Sequence, residues 1–145
     1  MFTDLLRRLT APEPEQLPDT DARLALAALL VRIARTDGDY AAVEIAQIDQ
    51  SLIRRYGLDM TQAAALRAEA EALEAQAPDT VRFTRAIKDA VAYEDRVAVM
   101  EALWSVVMAD GVRDDEEDSM MRMTASLLGV TDQDSHAARL RISAG

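Results

Sequence analysis

Cysteine is absent, which rules out disulfides, thiolate metal sites and cysteine nucleophiles. Glycine and proline are scarce, at five and four residues, and they fall as punctuation between longer stretches. Lys88 is the single lysine and His136 the single histidine. No long apolar run exists: the stretch from Leu24 to Val31 stops at Arg32, too short to span a bilayer. No segment alternates β-branched or aromatic residues with polar ones, so no strand is expected. Glycine-rich phosphate loops, G-x-S-x-G and Glu-x-x-His pairs are all missing, which removes the familiar nucleotide, serine-hydrolase and di-iron signatures. Met1-Phe2-Thr3-Asp4-Leu5-Leu6-Arg7-Arg8-Leu9 does not read as a signal peptide. Asp4 comes early, the arginines come after the apolar residues, and Pro12, Pro14 and Pro18 fall where an apolar stretch should continue. A cytoplasmic protein is the expectation.

What is present is acid and helix former. The formal net charge is −10, and the arginines are scattered among acids rather than gathered in a stripe. Phosphate backbones and anionic lipid surfaces are bound through clustered Lys and Arg, so nucleic acid and membrane are disfavoured as partners. A cation or a basic protein surface suits this chain better. Half of the residues are hydrophobic, and a domain of this length buries roughly 68–70% of its unfolded surface without staples.

Ala, Leu, Glu, Arg and Met fill the stretches between glycine and proline, which predicts an all-α bundle of seven to eight helices. Residues 2–9 form a short amphipathic helix with Phe2, Leu5, Leu6 and Leu9 on one side, followed by a stiff linker at 11–18. Residues 1–18 are thus set apart from a helical domain at 19–145. Further helices are expected from Asp19-Thr20-Asp21 to about Thr36, with Gly38 as a left-handed stop, and over 41–56, 60–76, 80–91, from Glu94 or Asp95 to 109, 114–128, and from Thr131 or Asp132 onward. Asp79-Thr80 is the expected cap of the helix at 80–91. Leu24–Ala34 and Val97–Ala109 are apolar nearly all round, which places them in the middle of the bundle. Trp104, Met108, Met120, Met121 and Met123 read as core filler, and His136 has no partner for chemistry.

The two apolar helices are equivalent by repeat. Asp37-Gly38 and Asp110-Gly111 lie 73 residues apart, as do Glu44 and Glu117; Gly57-Leu58 matches Gly129-Val130 once one residue is dropped. A period this long reads as a duplicated helical half rather than a solenoid unit. Each half carries an apolar helix, Asp-Gly, a short turn, and Glu seven residues after the Asp.

This pattern resembles the TerB-like (tellurite resistance protein B) family, in which a duplicated all-helical domain carries an A-D-G…E signature in each half. The resemblance covers about residues 20–130 and implies a non-enzymatic module connected with tellurite or stress. Reducing tellurite through thiols needs cysteine, so this chain does not do it by itself. Arg113, and Ala41-Ala42 where acids are common, depart from the family pattern and imply two unequal sites.

Two readings of the acids stand side by side. In the first, Asp37 and Asp110 are turn carboxylates accepting backbone N–H bonds, and Glu44 and Glu117 are early-helix acids favoured by the macrodipole. In the second, Asp37, Asp39 and Glu44, and likewise Asp110, Asp114 and Glu117, hold Ca2+, Mg2+ or Mn2+, which prefer oxygen ligands. The spacing is not that of an EF-hand. The run Asp114-Asp115-Glu116-Glu117-Asp118 is a solvated helix start or a dock for an arginine-rich protein. From another class comes a carboxylate- or metal-dependent hydrolase with Asp37 and Glu44, or Asp110 and Glu117, as acid and base.

Overall fold

Seven α-helices run through the described part of the chain. The computed structural model describes residues 19–36, 40–77, 79–109 and 115–144, with side chains for 22–36, 40–77, 79–109 and 118–143. In order they are α1 (Asp19–Ala34), α2 (Ala42–Tyr56), α3 (Met60–Gln76), α4 (Val81–Ala90), α5 (Tyr93–Val107), α6 (Asp115–Leu127) and α7 (Asp132–Ala144). No strand occurs among the described residues. The expected helix at 2–9, its linker and Gly38 lie outside them.

A helix that is apolar on every side must be surrounded. α1 packs against α2, α3, α4, α5 and α6, and from Leu24 to Val31 no residue is more than 9% exposed. α5 is its counterpart, touching α1, α2, α4, α6 and α7 and burying Val99, Met100, Leu103 and Val106 completely. The repeat is visible in the packing. α1 and α2 both pack on α3, as α5 and α6 both pack on α7; α2 packs on α5, as α6 packs on α1. α4 leans on α1, α5 and α6.

The repeat also holds at the helix ends. Gly57 (φ 65°) and Gly129 (φ 72°) are the left-handed residues that end α2 and α6. In each case the next N–H reaches back five residues, Leu58 to Ile53 O at 3.3 Å and Val130 to Ala125 O at 2.9 Å, which satisfies carbonyls left open by the helix end. The next helix then starts on a side-chain cap. Asp59 Oδ1 accepts from Gln62 N–H at 2.7 Å, and Thr131 Oγ1 accepts from Asp134 N–H at 3.1 Å.

Some local details differ from the sequence reading. Thr80 sits at the start of α4 but makes no capping bond with its side chain; Asp79 Oδ1 accepts from Arg82 N–H at 3.4 Å instead. α5 begins at Tyr93, one residue before the expected acids, so Glu94 and Asp95 lie in its first turn. Among the methionines Met121 is fully buried, whereas Met108 and Met123 are exposed, because α6 turns only one stripe inward and Met108 stands past the end of α5. Trp104 is buried at 8% exposure.

Val31 and Val106, both at 0% exposure, test the central-helix assignment. Val31→Asp or Val106→Asp places a carboxylate where no partner awaits it, costing several kcal/mol, comparable with the stability of a whole domain. Thermal melting followed by circular dichroism is expected to show neither variant retaining the parental transition. The two helix-ending glycines give a graded test. Gly57→Ala meets open space and incurs only the left-handed penalty, about 1–2 kcal/mol. Gly129→Ala adds a Cβ 3.0 Å from Arg96 Nη1 and is expected to melt lower.

Candidate functional site

The Asp-Gly segments leave the C-terminal ends of α1 and α5 and lead into α2 and α6. At the C-terminal end of α1, Arg32 and Arg35 meet acids from α3. Arg32 Nε donates to Glu74 Oε2 at 2.9 Å, and Arg35 Nη1 donates to Glu74 Oε1 at 2.6 Å, so both carboxylate oxygens are used. The pair is mostly shielded, with Arg32 15% and Glu74 12% exposed, which gives it more weight than a surface ion pair. Arg32 Nη2 also donates to the carbonyls of Glu74 and Ala77 at 3.1 and 2.8 Å, closing the end of α3 before Pro78. Its guanidinium stands over the Phe83 ring at 5.3 Å, and that of Arg35 over Tyr40 at 4.9 Å.

Tyr40 carries this network into α3, where its hydroxyl donates to Glu71 Oε2 at 2.8 Å. Burial, helped by the hydrogen bond and negative charge of Glu71, pushes the phenol well above its ordinary range. Arg67 then bridges Asp49 on α2 at 2.6 Å and Glu71 at 3.2 Å. The hydrogen bond to Asp49 is the main reason its guanidinium holds its proton still more firmly.

Glu44 occupies the third position of α2 and is fully buried. Its Oε1 accepts the N–H of Ala41 at 3.2 Å, the return half of a capping box whose other half an alanine cannot supply. Glu44 is thus an early-helix acid, and its full burial is the feature that its position in the sequence does not reveal. The neighbours of α2 close over the first turn, and the carboxylate serves the backbone there. Glu117 holds the same register in α6, but its side chain lies outside the described residues. Asp37, Asp39, Asp110 and Asp114 lie outside them as well. Of the six sequence-derived ligands the described structure therefore positions the Glu44 side chain alone. Among the described residues no three His, Cys, Asp or Glu side chains form a metal-binding group. The sequence reading did not anticipate the Arg32–Glu74–Arg35 cluster; its partners are about forty residues apart, and no local spacing signals such a pair.

Comparison with known proteins adds three findings. The family model described as tellurite resistance protein TerB matches residues 23–140. A crystal structure of a protein of unknown function from Porphyromonas gingivalis W83 superposes with a TM-score of 0.65 at 16% identity, covering 92% of this chain and 96% of that one, a likeness of fold. No curated protein gives a significant match.

Tyr40 makes the network testable by pH. The folded state holds the phenolic proton more tightly than the unfolded chain, whose tyrosines titrate near 10. The resulting stability is intact below about pH 10 and is lost as the pH rises beyond it. Melting temperatures measured from pH 8 to 11 are expected to fall at the alkaline end, and Tyr40→Phe is expected to reduce that fall.

Proposed function

Because the chain belongs to the TerB family, we propose that it is a non-enzymatic, cytoplasmic module acting through the acidic segments at the ends of its two central helices. They dock a basic protein surface or sense a divalent cation. The observation that supports this reading is the equivalence of the two segments. Each comes after a buried apolar helix, and each leads into a helix with Glu in its third position, Glu44 in α2 and Glu117 in α6. A net charge of −10 suits a cationic partner. Among the described residues no helix is long and apolar enough to cross a membrane. The family's description supplies the link to tellurite; without cysteine, the chain's part in it is binding rather than thiol chemistry.

For a cation, the donor set is all carboxylate: Asp37, Asp39 and Glu44 in one half, Asp110, Asp114 and Glu117 in the other. Such donors suit Ca2+, Mg2+ or Mn2+ and are poor for softer metals. The second set is the richer in neighbouring acids, since Asp115 and Glu116 flank it where the first half has Ala42 and Val43.

Calorimetric titration of the parent with each of the three ions is the direct test, repeated on Asp37→Asn with Asp110→Asn and on Glu44→Gln. Asparagine keeps the turn's hydrogen-bond acceptor and removes the charge. For cation sensing, heat and a raised melting temperature are expected in the parent, with weaker binding in the double variant at an unchanged fold. Silence of the parent at millimolar ion would reject the cation role. Protein docking is tested separately, by loss of an arginine-rich partner when Asp37 and Asp110 are reversed to lysine.

A further inference from the structure

The two halves differ where α2 meets α3 and α6 meets α7. In the first half Asp49 on α2 and Arg67 on α3 close the seam with a 2.6 Å ion pair, and Glu71 adds a second acceptor at 3.2 Å. The repeat register of 73 residues sets Asp49 against Arg122, and the register of 72 that holds after Gly57 and Gly129 sets Arg67 against Arg139 and Glu71 against Ser143. An acid–arginine pair has become two arginines. Among the described residues neither Arg122 nor Arg139 has a carboxylate within ion-pair distance. The seam holds a groove of about 310 Å3 lined by both arginines together with Trp104, Ser135 and His136.

Substitutions on the groove wall run in the same direction. Val31 and Ala63 of the first half are replaced by Trp104 and Ser135, and the indole Nε1 donates to Ser135 Oγ at 3.2 Å. A hydroxyl that accepts in this way keeps its own proton to donate. Arg139 lies over the Trp104 ring at 5.5 Å, which orients its guanidinium. Ala64 is replaced by His136, a further nitrogen donor or acceptor.

We propose that this groove binds a small oxyanion of the phosphate class between Arg122 and Arg139, with Ser135 and His136 as further hydrogen-bond partners. Guanidiniums present fixed forks that match the oxygen atoms of phosphate. Asp118 and Asp132 line the same groove and balance the formal charge of the two arginines. Together with the chain's net charge of −10 they keep out extended polyanions and favour a compact ligand seated between the two guanidiniums. The groove shares Asp118 with the second acidic run but includes none of the six candidate cation ligands, so the proposal stands whether or not those bind a cation.

Trp104 is the chain's single tryptophan, so its emission reports on the groove directly. The full chain is titrated with inorganic phosphate and, separately, with O-phosphoserine, against chloride at matched ionic strength. A saturable change with phosphate or phosphoserine and none with chloride is expected; a tighter response to phosphoserine assigns the ligand as a phosphate ester, and an equal or weaker one as the free anion. Arg122→Ala is expected to weaken binding by at least about tenfold, the loss of one charge-assisted pair. Arg122→Asp restores the first half's arrangement and is expected to abolish binding while raising the melting temperature through pairing with Arg139. A parent that responds to neither probe, or an Arg122→Asp variant that binds as the parent does, overturns the proposal.

Discussion

Everything in this molecule depends on hiding α1. A helix with no polar face cannot lie at a surface, and five neighbours are arranged to cover it. Its own residues leave little choice in how this is done. Ala25, Ala27 and Ala28 let neighbours approach closely, while Leu26, Leu29, Leu30 and Ile33 fill the gaps between them. The first polar residues to emerge, Arg32 and Arg35, do so at its C-terminal end and at once find Glu74 and the open carbonyls of α3. In the sequence the acidic motif follows at once, where the apolar helix runs out.

Polar order in the first half is dense. One carboxylate, Glu74, takes two arginines, and one arginine, Arg67, takes two carboxylates, so α1, α2 and α3 are joined through few groups. Among the described residues, ties in the second half are more dispersed. Tyr93 meets Asp134 at 2.6 Å, Glu101 meets Arg141 at 2.6 Å, and Arg96 donates to Leu128 O at 2.6 Å. Arg23, the repeat equivalent of Arg96, instead lies over Tyr56 at 4.6 Å. Duplication has kept the backbone plan while leaving each half free to choose its own side-chain contacts.

That division explains what could be read from the residues. Periodicity and glycine placement depend on neighbours three to seven positions away, so the α1 and α5 cores, the stops at Gly57 and Gly129 and the helix at 60–76 were all visible. The burial of Glu44 was not, because an acid in a helix's first turn looks the same whether water or a neighbouring helix covers it. The choice of Asp79 over Thr80 as cap turns on backbone angles that both residues tolerate. Met123 resembles Met121 in composition and differs from it only by the roughly 200° that two helical steps contribute. Of the acidic motif, spacing revealed the repeat and the register of Glu44 and Glu117, and long-range packing alone disclosed that Glu44 faces inward.

The crossed packing of α2 on α5 and α6 on α1 has a consequence for how such a chain arises. Exchanging the halves exchanges the two contacts, the property of an isologous interface about a two-fold axis. One half alone would leave exposed the face of its central helix that the other half covers. Joining the halves in one chain removes the concentration dependence that the same pairing would have between separate chains. Once joined, the copies are no longer bound to be identical.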